Sequence, residues 1–266
     1  MRQLGTTRAA TRLFCALFAL PFADTASAKR QPTPALPTPL VHLRAVEPAI
    51  HQEMRYATAD NFTGRPLPGY GAPECVLLAS VAAALARVQR DLAAHGLGLK
   101  VYDCYRPRRA VAAFHAWMKE GQDDARSRHF HPRIERTQLH QLGYVAAVSG
   151  HSQGNSVDLT LVPASPAASS GATAASVADA PCHQSPTERT AHPSVDMGTG
   201  FDCFDVRSHR QATGLTPAQR EARKTLHDAM ILQGFRGFSK EWWHFSFATN
   251  EGGGRSFDVP IMPYRP

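Results

Sequence analysis

Residues 149–161 have the sequence SGHSQGNSVDLTL, in which the residue types and their spacing could bind a metal ion. His151 and Asp158 lie seven positions apart, and Gly154 between them would let the backbone turn. An imidazole nitrogen and a carboxylate oxygen are both ordinary zinc ligands. The pair alone is weak evidence, because a solvated loop followed by a strand could contain the same residues.

A second group, EWWHF at 241–245, strengthens the metal hypothesis. His244 would complete the set of two histidines and one carboxylate that catalytic zinc sites use, with a fourth position left for water. Glu241 could then act as the base that activates this water. Glu241 and His244 are three residues apart and would face opposite sides of a regular strand. We therefore expect Glu241 to lie in an irregular stretch before the strand.

The surrounding pattern predicts the elements that would position these residues. Val157, Leu159 and Leu161 share one face of a predicted strand, so Asp158 points to the other face. A turn at 104–107 would place Arg106 at a strand-to-helix junction, although an arginine there is more often a surface residue. The predicted elements are a helix between Pro73 and His95 with an apolar stripe from Leu77 to Leu92, a strand at 99–103, a helix from Pro107 through Trp117, a helix opened by Thr216 and Pro217 and closed by Gly234, and a strand at 243–247.

Length and composition favour one globular domain, since the chain has 266 residues, of which 43% are hydrophobic. Residues 1–28 resemble a secretory signal peptide, with three arginines, an apolar run at 13–23 and small residues at 26–28. Residues 29–43 are a proline-rich lead-in. The predicted catalytic domain spans 44–266, and its alanine- and serine-rich part at 163–194 is expected to be a mobile insertion.

Export would change the charge and cysteine counts. Without residues 1–28 the net charge falls from +7 to +5, and no basic block interleaved with aromatics remains, so we expect no nucleic-acid partner. No stable membrane anchor is expected after signal cleavage, because the apolar run is too short. Four cysteines remain, and three disulfide connectivities are possible. We prefer Cys75 with Cys104, and Cys182 with Cys203.

Several motifs occur in the order typical of a known family. They are RYATADNFTGR at 55–65, DCYRPRRA at 103–110, SGHSQGNSVDLTL at 149–161, MGTGFD at 197–202 and EWWHF at 241–245. Together they resemble the D-alanyl-D-alanine dipeptidases of the vancomycin-resistance type. That family belongs to the zinc DD-peptidase superfamily, which shares its core fold with hedgehog domains. The insertion, the exported N-terminus and the cysteines depart from the family pattern.

The resemblance implies an α+β fold of the hedgehog/DD-peptidase type, with a mostly antiparallel sheet and packed helices. It implies one zinc ion per chain, held by His151, Asp158 and His244, with Glu241 as general base and acid. It also assigns Arg106 to stabilising the tetrahedral intermediate. Ser149, Tyr56 and Asp202 match positions of the family that hold the dipeptide.

The function implied is hydrolysis of D-Ala-D-Ala to two D-alanines in cell-wall dipeptide turnover, by an enzyme secreted to the periplasm or beyond. One alternative is a zinc carboxypeptidase or endopeptidase that cuts longer wall peptides. Another is a zinc-bearing binding module without catalysis, as in hedgehog relatives. Oligomeric state and physiological role stay open at this point.

Overall fold

The computed structural model describes residues 1, 36–120, 123–164, 181–183 and 194–266. The predicted signal peptide and most of the predicted insertion lie outside these residues. Residues 35–266 form one compact unit. Within the described ranges, no helix has both the length and the apolar character needed to cross a bilayer.

Seven strands and five α-helices are assigned in the described part of the chain. They are β1 Leu40–His42, α1 Leu43–Val46, β2 His51–Gln52, β3 Val76–Leu78, α2 Ala79–Ala93, β4 Leu97–Asp103, α3 Arg108–Trp117, α4 Ala125–Phe130, β5 Ser156–Pro163, α5 Pro217–Leu232, β6 Phe235–Gly237 and β7 His244–Phe247. The end of the predicted proline-rich lead-in therefore contains β1.

The main sheet has five strands in the order β2-β4-β5-β7-β6. Only the β2–β4 pair is parallel; the other three pairs are antiparallel. A second, two-stranded sheet pairs β1 with β3. Helices α2 and α5 contact each other and also strands of the main sheet. This arrangement confirms the predicted α+β class with a mostly antiparallel sheet.

The centre of the main sheet brings polar residues of three strands together. Asp158 on β5 lies opposite His244 on β7. On the other side of β5, Asp158 lies opposite Asp103 on β4. Residues directly opposite each other in antiparallel strands share a face of the sheet. Asp103, Asp158 and His244 are thus placed on one face by backbone pairing alone.

Strand β4 reaches this arrangement through an irregularity. Val101 pairs with Leu159, but Asp103 pairs with Asp158, so Tyr102 is an extra residue in the ladder. Without this extra residue, Asp103 would lie on the same face of the sheet as Val101 and its partner Leu159, which is the apolar face. The bulge turns Asp103 to the polar face instead.

The helix predicted between Pro73 and His95 is shorter than expected at its start. Leu77 lies on β3, paired with Val41 of β1, and α2 begins at Ala79. A short apolar run fits a buried strand as well as a buried helical turn, which explains the error. The start of α5 is as predicted: Thr216 and Gln219 form a capping box, and Pro217 occupies the first turn.

Both preferred disulfides are present. Cys75 and Cys104 have Cα atoms 5.3 Å apart, and Cys182 and Cys203 have Cα atoms 5.4 Å apart. The first joins the residue before β3 to the residue after β4. The second fixes residue 182 to the segment that follows the predicted insertion.

Candidate active site

Three ligand atoms of predicted metal-binding residues converge at the polar face of the sheet. His151 Nε2 lies 3.1 Å from His244 Nδ1 and 3.3 Å from Asp158 Oδ2. His244 Nδ1 lies 2.8 Å from Asp158 Oδ1. Among the described residues, these three form the one group of acidic, histidine or cysteine side chains with ligand atoms all within 4.8 Å. The residues are 93 positions apart at their extremes and meet only through the fold.

The ring orientations of both histidines are set by neighbouring groups. His151 lies in a short 3-10 helix, Gly150–Gln153, and its Nδ1 is 2.7 Å from the carbonyl oxygen of Cys104. A carbonyl can only accept, so Nδ1 carries the proton and Nε2 of the neutral ring presents a lone pair to the site. His244 Nε2 lies 3.3 Å from the hydroxyl of Ser246, which leaves Nδ1 facing Asp158.

The donor set therefore fits zinc. Two imidazole nitrogens and a carboxylate oxygen point their lone pairs at one place, and a buried carbonyl orients one of the rings from behind. Burial alone would raise the pKa of Asp158, but charge and hydrogen bonds from His151 and His244, when these rings are protonated, outweigh burial and hold that pKa below its usual range. A metal ion in place of those protons would favour the ionised carboxylate in the same way. Asp158 is thus ionised, as a metal ligand must be.

Arg106 lies at the predicted junction between β4 and α3, and it is not a surface residue. Its Nε donates to Asp103 Oδ2 at 2.9 Å, and its Nη2 lies 2.8 Å from the same oxygen and 3.6 Å from Asp158 Oδ2. The guanidinium also lies 5.0 Å from the ring centres of both Tyr56 and Phe114. Acids on one side and aromatic faces on the other hold this cation in a fixed position.

Glu241 lies in the irregular stretch before β7, as the sequence predicts. The backbone N–H of His244 donates to the carbonyl oxygen of Glu241 at 3.3 Å, which closes a turn through the two tryptophans. Because of this turn, Glu241 and His244 both line the same cavity. Burial, followed by repulsion from Asp158 and Asp202, raises the pKa of Glu241 well above its ordinary value.

The remaining predicted residues lie around the same cavity. Tyr56 is buried and its hydroxyl donates to Asp202 Oδ2 at 2.8 Å. Burial and then Asp158 raise the pKa of Asp202 well above its usual range. Asp202 also has a φ of 58°, a left-handed conformation that few non-glycine residues adopt. Ser149 caps the 3-10 helix of His151, whose backbone N–H donates to Ser149 Oγ at 3.2 Å.

One cavity of about 390 Å³ contains all eight predicted site residues in its wall. Phe62, Phe114, Phe204 and Trp243 supply apolar surface beside them. Four buried carboxylates, of Asp103, Asp158, Asp202 and Glu241, lie around the largely buried guanidinium of Arg106, whose side chain is 12% exposed. Burial raises the pKa values of Asp103, Asp202 and Glu241, so a divalent cation together with a cationic substrate group would favour the ionised forms of these acids.

Asp103 is the site residue that the sequence pattern did not reveal. Its carboxylate is fully buried, holds Arg106, accepts a hydrogen bond from the Tyr70 hydroxyl at 2.6 Å and lies 3.3 Å from His151 Nδ1. In a regular strand Asp103 would face away from the site. The available signal was its spacing of three residues from Arg106 across a turn, which is too common to be specific.

Two other histidines, His131 and His140, make local hydrogen bonds to backbone carbonyl groups. His131 Nδ1 lies 2.9 Å from the carbonyl oxygen of Ile134. His140 Nδ1 lies 2.8 Å from that of Val145. Neither belongs to the converging group of His151, Asp158 and His244.

Comparison with known proteins gives one consistent result. The sequence pattern of the peptidase M15 family, described as D-Ala-D-Ala dipeptidase, matches residues 37–172 and 164–261. The chain is 32% identical over 212 residues to a D-alanyl-D-alanine dipeptidase of Enterococcus faecium, covering 80% of this chain and 93% of that protein. It is 36% identical over 196 residues to one of Enterococcus faecalis, covering 74% and 85%. It is 35% identical over 212 residues to one of Streptomyces coelicolor, covering 80% and 93%.

Proposed function

The chain belongs to the D-Ala-D-Ala dipeptidase family of peptidases, and on that premise we propose that it hydrolyses D-Ala-D-Ala to two D-alanines with one zinc ion. The proposed ligands are His151, Asp158 and His244. The observation that carries the proposal is the convergence of these three side chains at a cavity whose wall also contains Glu241 and Arg106.

A zinc ion held by His151, Asp158 and His244 would lower the pKa of a water molecule to about 7 and would polarise the peptide carbonyl group. Glu241 is proposed to accept a proton from the water while the water oxygen attacks the peptide carbonyl carbon. When the C–N bond breaks, Glu241 returns that proton to the nitrogen of the leaving alanine. The high pKa of Glu241 in its buried position suits a group that must hold the proton between these two steps.

Arg106 is proposed to stabilise the negative charge that develops on the carbonyl oxygen. Its guanidinium is already fixed by Asp103 and the ring of Tyr56, so little reorganisation is needed when the charge appears. A preorganised donor of this kind typically contributes about 3 kcal/mol to lowering the barrier.

The dipeptide would be held by the acids and hydroxyls of the cavity wall. Asp202, fixed by the Tyr56 hydroxyl, is proposed to receive the substrate ammonium group. A bound ammonium would favour the ionised carboxylate and offset the repulsion from Asp158. Ser149, at the start of the turn that carries His151, is proposed to contact the peptide as well.

The proposal can be tested on the purified protein by measuring zinc content and hydrolysis of free D-Ala-D-Ala together. We expect about one zinc per chain, loss of hydrolysis after chelation and recovery when zinc is added back. A wall pentapeptide ending in D-Ala-D-Ala is assayed in parallel. Cleavage of the pentapeptide alone would favour the peptidase on longer wall peptides, and zinc binding without hydrolysis of either would favour a binding module.

We also propose that the protein is exported. The signal-like composition of residues 1–28 supports this location, as do the two disulfides, because such bonds persist in oxidising compartments. Fractionation of cells, with detection of the shortened N-terminus by mass spectrometry, tests it. A full-length chain retained in the cytoplasm would contradict it.

A further inference from the structure

Arg236 lies on the edge strand β6 and lines the active-site cavity. It is paired with Ser246 of β7, and Ser246 is two residues from His244. Opposite residues share a face of the sheet, as do residues two apart on one strand. Arg236 therefore lies on the face of the sheet that carries His244 and Asp158. It is displaced from His244 by two residues along the strand direction, which is roughly 7 Å.

The other basic groups near this cavity are already engaged. Arg106 is bound to Asp103. Lys240 Nζ donates to the carbonyl oxygen of Leu142 at 2.6 Å and lines a different cavity. Arg236 is exposed, and its guanidinium makes no hydrogen bond or ion pair with any residue in the described part of the chain. It is thus the one guanidinium in the described cavity wall that is free to bind a ligand.

The charge distribution of the cavity matches a zwitterion. Its buried wall is acidic, with Asp202 and Glu241, whereas Arg236 adds an unpaired positive charge at an exposed position. D-Ala-D-Ala carries an ammonium at one end and a carboxylate at the other. The carboxylate belongs to the residue directly after the scissile bond, and consecutive Cα atoms are about 3.8 Å apart. Arg236 is displaced from His244 by roughly 7 Å along the strands, and its long side chain can cover the remaining distance.

We propose that Arg236 binds the C-terminal carboxylate of the dipeptide and makes the enzyme prefer substrates with a free carboxylate. This inference rests on the proposed dipeptidase function. A guanidinium matches a carboxylate in charge and can bind both of its oxygens in parallel. With the ammonium directed to Asp202, this contact fixes the direction in which the dipeptide lies across the site.

The test compares D-Ala-D-Ala with D-alanyl-D-alaninamide, which keeps the ammonium and the scissile bond but lacks the terminal carboxylate. Both are assayed with the zinc-loaded wild type, Arg236→Gln, Arg236→Lys and a control, Arg90→Gln. Arg90 is an exposed arginine of α2 outside the cavity. If the amide is cleaved too slowly to measure, its inhibition constant against the dipeptide replaces its KM.

For Arg236→Gln we expect kcat/KM on the dipeptide to fall roughly 10- to 100-fold, mainly through KM, because a charge-assisted hydrogen bond is lost. The amide should change less than about twofold, Arg236→Lys should be intermediate and Arg90→Gln should match the wild type. An equal loss on both substrates, or no loss on either, would overturn the inference while wild-type hydrolysis still supported the function. A wild type that hydrolyses neither substrate would overturn both.

Discussion

At the residue scale, the protonation of Glu241 depends on what else occupies its cavity. Burial and the carboxylates of Asp158 and Asp202 raise its pKa, and Arg106 opposes them. A divalent cation at His151 and His244 would add to the effect of Arg106. The same carboxylate can then be ionised when the metal is bound and still accept a proton readily during turnover.

Replacing Glu241 with glutamine should separate metal binding from catalysis. We expect Glu241→Gln to keep the zinc content of the wild type, because Glu241 is not one of the proposed ligands. Its kcat should fall between about 100- and 10,000-fold, since the amide cannot relay the proton. Zinc content and kcat are measured on the same preparation, with Glu221→Gln on the surface of α5 as the control. Undiminished kcat in Glu241→Gln would contradict the role of this residue.

Arg106 should be sensitive even to a change that conserves its charge. Lysine cannot replace the planar contacts to Asp103 and the stacking near Tyr56. We expect Arg106→Lys to lower kcat about 100-fold. Arg109→Lys is the matched control, because Arg109 lies three residues further on, in the first turn of α3, and pairs with Asp258 at the surface. Zinc content and melting temperature show whether the protein is intact; a kcat equal to that of Arg109→Lys would refute the prediction.

At the scale of elements, the sequence predicted the parts that depend on local rules. The alternation at 157–161 gave β5, and the capping box at Thr216 gave the start of α5. The sequence also predicted that Glu241 lies in an irregular stretch of backbone before β7. The turn at 242–243 confirms this prediction. What it could not supply was the bulge at Tyr102, because the need for an extra residue arises only when β4 pairs with β5. The site residue Asp103 was missed for that reason.

Helix α5 holds the segment that presents Asp202. Arg223 on this helix is buried, and it donates to the carbonyl oxygens of Met197, Arg207 and His209 at 2.7, 3.0 and 2.6 Å. Burial, and then the charge of Arg207, lower the pKa of Arg223 to about 10, so it stays charged at neutral pH. One side chain thus fixes both ends of the stretch 197–209.

Loss of this guanidinium should therefore destabilise the protein. Arg223→Met leaves three carbonyl groups without their donor and should lower the free energy of unfolding by about 3 kcal/mol. The control is Lys224→Met, which removes an exposed pair with Asp228 and should cost less than about 0.5 kcal/mol. Urea unfolding followed by circular dichroism measures both. Equal losses in the two variants would show that Arg223 does not anchor the segment.

At the scale of the whole molecule, the site forms only when distant parts of the chain are held in register. His151 and His244 lie on different elements. The sequence predicts both as zinc ligands because of the residue types in their two motifs, but it does not predict how close together they lie. The ring of His151 is oriented by the carbonyl of Cys104, and Cys104 is bonded to Cys75. Asp202 precedes Cys203, which is bonded to Cys182. Each disulfide thus constrains a different half of the site.

Removing the two disulfides separately should give different defects. The bonded cysteines are 29 and 21 residues apart, so each double alanine variant should lose about 3 to 4 kcal/mol of unfolding free energy. Cys75→Ala with Cys104→Ala should also weaken zinc binding, by about tenfold, because the carbonyl that orients His151 is less constrained. Cys182→Ala with Cys203→Ala should instead raise KM for the dipeptide and keep zinc affinity. Zinc competition with a chromophoric chelator and steady-state kinetics measure the two effects. Both variants could instead lose stability with no difference between them in zinc affinity or KM. The disulfides would then serve the fold alone, and the proposed link between Cys104 and the orientation of His151 would be wrong.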